Sequence, residues 1–298
     1  VMIEHGFGGK KNIKVACQWY LKAAKRGHAV AQNSIASLLR SNLCGKRDEK
    51  QANYWLEKAA KAGNSIALTN LGIIYSAGLG VKKNEIKAFQ LFTQAAQLGD
   101  AYAQYNLARC YYYGIGTKTN RIEAYNWLKK SADQGVAAAQ FELSTVLFLG
   151  KDVEKNNKES MYWLIKAADN QYRPALYLLG HFYNEGKLLK RNKSKVKSLW
   201  ESAAKLGFID AAYDLGIWYL TNKNYVKGMR YIKLAASKGH KIAGEYLKVI
   251  EQKQMANRYN HRQRTRFTDN NYFTHGKTDQ WAEQYRLQQE QLAEEQRR

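Results

Sequence analysis

The sequence predicts an all-α fold, a right-handed α-solenoid of antiparallel helix pairs, and three observations support this prediction. A similar block of residues recurs every 36 positions, as Gly27, Gly63, Gly99 and Gly135 show, and such a period is typical of helical repeat arrays. The 298-residue chain has a single proline, Pro174, and proline is the residue that most strongly interrupts helices. Short polar residues also stand at one phase of the repeat, where a helix is expected to begin.

The second helix of each repeat, helix B, is expected to begin after a capping side chain. An oxygen at this position accepts a hydrogen bond from a free backbone amide of the first turn, which stabilises the helix by about 1 kcal/mol. The caps are Asn12, Asp48, Asn84, Asn120, Asn156, Asn192 and, after a repeat of 32 residues, Asn224. The main core side chain of helix B is predicted seven positions later, at Trp19, Trp55, Leu91, Trp127, Trp163, Leu199 and Tyr231.

Glycines are expected to end both helices of a repeat in the left-handed conformation, where other residues are strained. One repeat has Gln171 in place of the glycine that ends helix B. The first helix of each repeat, helix A, carries a leucine, then a small residue, and a tyrosine four positions after the leucine, all on one stripe. Leu39 and Leu147 replace that tyrosine. The glycines expected to end helix A are Gly78, Gly114, Gly150 and Gly186.

The repeat resembles the Sel-one-like repeat family, a relative of the tetratricopeptide repeat. The resemblance is carried by such stretches as AQYNL at 103–107 and WLIKAA at 163–168. It covers about residues 1–250, as half a unit, six units over 28–239 and a closing helix. What the resemblance implies is a non-catalytic protein-interaction scaffold or adaptor, of bacterial type. Some relatives carry a disulfide in every repeat, and this chain lacks the paired cysteines for that pattern.

Cysteines and histidines give no sign of catalytic or metal chemistry. Cys17, Cys44 and Cys110 are odd in number and show no Cys-x-x-Cys spacing, and two of them fall at apolar positions of the repeat, which favours buried thiols. The six histidines show no metal-ligand spacing, and motifs for phosphate loops, serine hydrolases and zinc proteases do not occur. We therefore expect no enzyme activity, no cofactor and no metal.

Helix A is expected to line the concave side of the solenoid and to supply the contact surface. Positions that stacking does not use vary between repeats, and a run of three tyrosines begins at Tyr111, the only one of the three that the repeat explains. The predicted partner contacts are Asn70, Asn106, Arg109, Tyr112, Tyr113, Glu142, His181 and Asp214.

An aromatic ladder runs along the same helices, with one ring in each of four consecutive repeats. Its members are Tyr105, Phe141, Tyr177 and Tyr213. Such a row suits an extended peptide, but tyrosine at this position belongs to the family's repeat pattern, which favours packing in the core.

The net charge is +23, and it is unevenly distributed. Residues 1–99 and 172–250 each carry 15 basic and 5 acidic side chains, whereas residues 100–171 carry 9 and 8. Much of the positive charge falls in the loops from helix A to helix B, which predicts a basic edge able to attract an acidic partner. The basic edge comprises Lys10, Lys11, Lys46, Arg47, Lys82, Lys83, Lys190, Arg191 and Lys193.

Two alternative functions stay open at this point. Basic loops beside helices suit the phosphates of nucleic acid, although no known reading motif is present and lysines outnumber arginines. The resemblance also extends to immunity proteins that bind and block secreted toxic effectors, so an effector enzyme or an envelope protein is a candidate partner.

Beyond residue 250 the repeat stops and the composition becomes polar. Residues 251–278 are expected to form a basic disordered linker, and 279–298, rich in Gln, Glu and Arg, a helix that caps the array or binds separately. No stretch reaches the roughly 18 apolar residues of a membrane span. The chain reaches the helix-ending Gly6 and Gly8 within a few residues, so we expect it to begin within a repeat, and the sequence does not identify the compartment.

Overall fold

In the computed structural model, residues 12–252 and residue 255 are described, and every regular element within them is an α-helix. The predicted helix over 279–298, Lys10, Lys11 and most of the predicted linker lie outside the described residues, whereas 251, 252 and 255 are still helical. The helices are α1 (Ile13–Lys25), α2 (Ala29–Arg40), α3 (Glu49–Lys61), α4 (Ser65–Ala77), α5 (Glu85–Gln97), α6 (Ala101–Tyr113), α7 (Arg121–Asp133), α8 (Ala137–Leu149), α9 (Asn157–Asp169), α10 (Arg173–Glu185), α11 (Lys193–Lys205), α12 (Ile209–Thr221), α13 (Tyr225–Ser237) and α14 (241–252).

The chain divides into two compact units between Phe208 and Ile209. The first unit contains α1 to α11 and the second contains α12 to α14. In both units a helix A is followed by a helix B, and the two helices of a repeat pack on each other. The prediction of an all-α array of repeated helix pairs is therefore confirmed.

The predicted helix starts and stops are confirmed by the backbone. Each of the seven predicted caps accepts a hydrogen bond from the amide three residues later, as Asn84 Oδ1 does from Lys87 N at 2.9 Å. The glycines that end helix B have φ between +79° and +91°, and Gln171 occupies the same region at φ +56°. Asn64 and Asp100 cap two A helices in the same way, which the sequence analysis did not predict.

The prediction of the main core side chain of helix B is wrong by one position. Trp19 is 58% exposed, and although Trp55 and Trp163 are buried, the other members of that column are only half-buried. The residue that follows this position in helix B is more deeply buried, because it faces a small residue of helix A in the same repeat. These side chains are at most 5% exposed: Leu56, Phe92, Leu128, Leu164, Trp200 and Ile232.

The prediction of buried thiols is wrong for two of the three cysteines. Cys17 on α1 and Cys44, after α2, form a disulfide with their Cα atoms 5.7 Å apart. The corresponding positions one repeat later are Asn53 and Gly80, where a Cβ on the glycine would lie 3.8 Å from Asn53 Nδ2. The disulfide therefore fixes a contact between a loop and the preceding helix B that recurs without a covalent bond in the next repeat.

The prediction of a buried thiol is confirmed for the third cysteine. Cys110 is a buried free thiol, and burial raises its pKa to about 11. Because only the thiolate reacts readily, Cys110 is expected to be inert in the folded protein.

Candidate protein-binding cleft

Four of the predicted contact residues lie together in the first unit. One cleft of about 210 Å³ is lined by Arg109, Tyr112 and Tyr113 on α6, by Glu142 on α8 and by residues of α7. The three α6 residues belong to a segment where the repeat pattern is broken by the additional tyrosines. The structure thus brings together half of the predicted contacts.

Arg109 is held between two aromatic rings on its own helix. Because Tyr105, Arg109 and Tyr113 are spaced four residues apart, they lie on one face of α6. The guanidinium carbon of Arg109 is 5.8 Å from the centre of the Tyr105 ring and 6.0 Å from that of Tyr113, within the range of cation–π attraction. Among the described residues, no carboxylate forms an ion pair with Arg109, so its positive charge is placed by the rings without being neutralised.

A second arginine lines the same cleft. Arg121 is the first residue of α7, and its guanidinium carbon lies 3.6 Å from the centre of the Tyr112 ring. Its Nη1 atom lies 3.8 Å from a carboxylate oxygen of Asp152. Sequence reasoning missed Arg121, Asp152 and the neighbouring Lys151. The available signal was Asp152, because the preceding repeats have Gly80 and Gly116 at that position.

At the cleft, Asp152 replaces the loop glycine of the two preceding repeats. In the preceding repeat the loop lies directly on helix B, since a Cβ on Gly116 would come within 2.1 Å of Glu85 O. Such a distance excludes any residue larger than glycine. Asp152 stands at the equivalent position, and its carboxylate oxygen lies 3.8 Å from Arg121, which stands where the preceding repeat has Glu85.

Glu142 connects two consecutive A helices. The Tyr105 hydroxyl donates a hydrogen bond to Glu142 Oε1 at 2.6 Å. Burial raises the pKa of Tyr105, and the hydrogen bond to Glu142 and its negative charge raise it further. Burial, followed by the charge of Glu142, also raises the pKa of Tyr172. Glu142 is thus partly used to hold the repeats together, which fixes the wall of the cleft.

The aromatic ladder packs between repeats. The rings of Phe141 and Tyr172 have centres 5.5 Å apart, and those of Tyr177 and Phe208 are 5.0 Å apart. In the second unit, the rings of Tyr213 and His240 are stacked with their centres 4.4 Å apart. Since all four ladder residues are half-buried, the structure supports the packing interpretation over an open aromatic groove.

The remaining predicted contacts lie outside the cleft. Asn70 donates to Asn33 Oδ1 at 3.0 Å in the preceding repeat, and Asn106 donates to Tyr102 O at 2.9 Å. His181 packs against the rings of Tyr177 and Trp200. Asp214 is half-buried on α12 in the second unit. Their roles in binding stay predictions.

The described residues of the basic edge lie in the loops from helix A to helix B, apart from Lys193, the first residue of α11. Some of their charge is already paired, because Arg47 contacts Glu49 and Lys83 Nζ lies 2.7 Å from Glu85 Oε1. Arg191 Nε donates to Asn184 O at 2.8 Å. The other described members are Lys46, Lys82 and Lys190.

Within 12–252 and 255, no cluster of His, Cys, Asp and Glu is able to hold a metal ion. In the same part of the chain, no helix has the length and apolar character needed to cross a membrane.

The stacked helix pairs and the contacts that link them define an α-solenoid repeat protein. The chain belongs to the Sel1 repeat family, whose model matches residues 1–28, 29–64, 65–100, 101–136, 137–172, 173–208 and 209–240. Sel1 repeat proteins are generally non-catalytic scaffolds that bind other proteins. A comparison with curated proteins gives no significant match.

Solved structures include relatives of this chain. A Sel1 repeat protein from Oxalobacter formigenes is 29% identical, with 84% of this chain and 73% of that chain covered and a TM-score of 0.71. The protective antigen c5321 of uropathogenic Escherichia coli, which has an SLR fold, is 30% identical with a TM-score of 0.65. The match covers 81% of this chain but only 53% of c5321, so the chain spans about half the length of that relative.

A further similarity is to the immunity protein Pa5087 from Pseudomonas aeruginosa. The identity is 23%, 60% of this chain and 67% of that chain are covered, and the TM-score is 0.44. Values this low carry no inference about function.

Proposed function

We propose that this protein is a non-catalytic scaffold that binds an acidic protein partner on the helix-A face of its first unit. The observation that carries the proposal is Arg109, an exposed cation with no ion-pair partner among the described residues. Its guanidinium carbon lies 5.8 Å and 6.0 Å from the ring centres of Tyr105 and Tyr113, and its side chain lines the cleft. Arginine and tyrosine are also the residues that most often dominate binding energy at protein interfaces.

The basic edge supports the same partner by a different effect. Exposed charges of one sign raise the association rate of an oppositely charged partner more than they raise its affinity. The edge therefore steers an acidic partner towards the array, while the cleft supplies specific contacts. Two kinds of partner fit this proposal. One is an envelope protein, and the other is a toxic effector enzyme whose active site the bound scaffold would cover.

The Cys17–Cys44 disulfide indicates the kind of compartment in which the partner is bound. Disulfides persist in oxidising compartments and are rare in reducing cytosol. We infer that binding takes place in an oxidising compartment, which restricts the candidates to partners that share it.

The test is affinity purification from an extract of the native host, with the full chain as bait. A variant with both Arg109→Ala and Tyr113→Ala is compared with a control that removes a similar pair from helix B, Lys166→Ala with Tyr162→Ala. We expect one dominant acidic protein that the control retains and the first variant loses. Retention by both variants would refute the helix-A face, and a partner released by nuclease treatment would favour the nucleic-acid alternative.

A further inference from the structure

The cleft between α6, α7 and α8 has a size that suits single side chains. Its volume of about 210 Å³ is below the roughly 300–1,000 Å³ typical of sites for small molecules and cofactors. The cleft is therefore better matched to an anchoring side chain and its neighbour on a partner segment than to a free metabolite.

The charges in the cleft favour a carboxylate over a phosphate. Arg109 and Lys151 form no ion pair with any described carboxylate, whereas Glu142 and Asp152 line the same cleft. With Arg121 included, the lining carries three cations against two carboxylates, a net charge of +1 (3 − 2) that one carboxylate neutralises and a doubly charged phosphate exceeds. A planar guanidinium binds either group with two parallel hydrogen bonds, so the charge balance decides between them.

Apolar side chains lie next to this anchor. Leu149 at the end of α8 is 54% exposed and lines the cleft together with Val146 and the buried Leu128 of α7. Covering an exposed leucine removes apolar surface from water, which stabilises a complex by roughly 25 cal/mol per Å². An apolar or aromatic residue beside the carboxylate would make this contact.

We infer that the cleft recognises a partner segment in which an aspartate or glutamate binds Arg109 and an adjacent apolar or aromatic side chain packs on Leu149. The inference rests on the proposed function and deepens it, because it assigns the chemistry of the recognised segment. Tyr105 and Tyr113 are positioning residues in this site, since they hold the guanidinium of Arg109 in place.

The test uses a display library of random dodecapeptides selected on the full, disulfide-bonded chain. Enriched peptides are expected to share an acidic residue next to an apolar or aromatic one. For one such peptide, replacing its acidic residue by the amide is expected to raise the Kd at least tenfold, and Arg109→Gln is expected to do the same. Lys166→Gln, which removes a cation that lies over Tyr162 on helix B, is the matched control and is expected to leave the Kd unchanged.

Other outcomes overturn the inference. These are an enriched set without a shared acidic residue, tight binding that Arg109→Gln does not change, stronger binding of a phosphoserine analogue, or no enrichment at all. The affinity purification described above distinguishes a wrong recognised segment from a wrong proposed function. If a protein partner still depends on Arg109 and Tyr113 there, the scaffold proposal stands and only the nature of the recognised segment is wrong.

Discussion

Trp200 of α11 packs so closely on Gly180 of α10 that a Cβ placed on the glycine would lie 2.2 Å from the indole nitrogen. The same indole donates a hydrogen bond to Tyr177 O at 3.0 Å and is 3% exposed. Large residues of helix B are thus matched to small residues of helix A in the same repeat. Gly72 faces Phe92, whereas the equivalent pair one repeat later is Ala108 with the smaller Leu128.

Gly180→Ala is therefore expected to destabilise the protein although alanine favours helices. The methyl group forces Trp200 to move within a packed core, which costs about 1–3 kcal/mol beyond the roughly 1 kcal/mol gained in helix propensity. Chemical denaturation would measure the change. Gly244→Ala is the matched control, because nothing lies within 4 Å of that position, and it is expected to be neutral or stabilising.

The double variant Gly180→Ala with Trp200→Leu reproduces the pair found at Ala108 and Leu128. We expect a favourable coupling of about 1 kcal/mol or more between the two changes. Strict additivity of the two single changes would show that size matching does not determine this column.

Features that depend on local structure could be predicted from the sequence. Capping asparagines and helix-ending glycines act within one or two turns of their own helix, so their 36-residue period was sufficient evidence. The exposure of Trp19 was not predictable in this way, because two consecutive positions of helix B are both apolar and only packing against helix A decides which is deeper. In the sequence, this size matching is visible where the largest helix-B residues, Phe92 and Trp200, occur with the glycines Gly72 and Gly180 of helix A.

The disulfide and the cleft depend on how a loop lies on the preceding repeat. Cys17 and Cys44 are 27 residues apart, and the equivalent positions in the later repeats contain no cysteine. Arg109, Tyr112, Tyr113 and Glu142 were selected because they vary, but the replacement of a loop glycine by Asp152 also changes what lines the cleft. That effect is tertiary, since the importance of the glycine follows from its contact with another repeat.

Ala62→Gln is expected to stabilise the protein. Buried glutamines of helix A, such as Gln104 and Gln140, have partners thirty residues later, where Gln134 and Asn170 donate to their Oε1 atoms at 2.8 and 3.0 Å. Gln32 has Ala62 at that position.

In the described residues Gln32 Oε1 is buried without a hydrogen-bond partner. Such a group costs about 1–3 kcal/mol, and the new amide would relieve part of that cost. Gln134→Ala, the reverse change, is expected to destabilise by a similar amount. Differential scanning calorimetry would compare the two variants, and equal melting temperatures for Ala62→Gln and wild type would contradict the prediction.

Gln171→Gly is expected to raise the free energy of unfolding by about 0.5–1 kcal/mol. The left-handed conformation at φ +56° costs a residue with a Cβ roughly 1–2 kcal/mol, and the greater freedom of glycine in the unfolded chain offsets part of the gain. Gly135→Gln is the matched reverse change in the preceding repeat and is expected to destabilise. If both substitutions were neutral in urea unfolding, backbone strain at this turn would be negligible.

Breaking the disulfide is expected to destabilise the first repeats. A closed loop of this length restricts the unfolded chain and contributes about 3–4 kcal/mol in the chain-entropy model. Cys44→Ser, or reduction with a thiol, should increase amide hydrogen exchange in α1 and α2 more than in α9. A Cys110→Ala variant serves as control and should remain sensitive to reductant, and unchanged exchange in reduced wild type would count against the disulfide's role.

The hydrogen bond from Tyr105 to Glu142 predicts a loss of stability at alkaline pH. Burial and Glu142 raise the pKa of Tyr105 above its ordinary value of about 10, so the folded state keeps a proton that the unfolded chain loses first. Its stabilisation is therefore complete below pH of about 10 and decreases as the pH rises above that value.

Tyr105→Phe lacks both the hydrogen bond and the titrating group. Urea unfolding between about pH 8 and pH 11 should show wild type to be more stable by about 1–2 kcal/mol at the lower pH, with the difference narrowing as the pH increases. Other tyrosines and lysines titrate in the same range, but they are common to both proteins and cancel in the comparison. A constant difference would mean that the Tyr105 hydroxyl titrates alike in the folded and unfolded states.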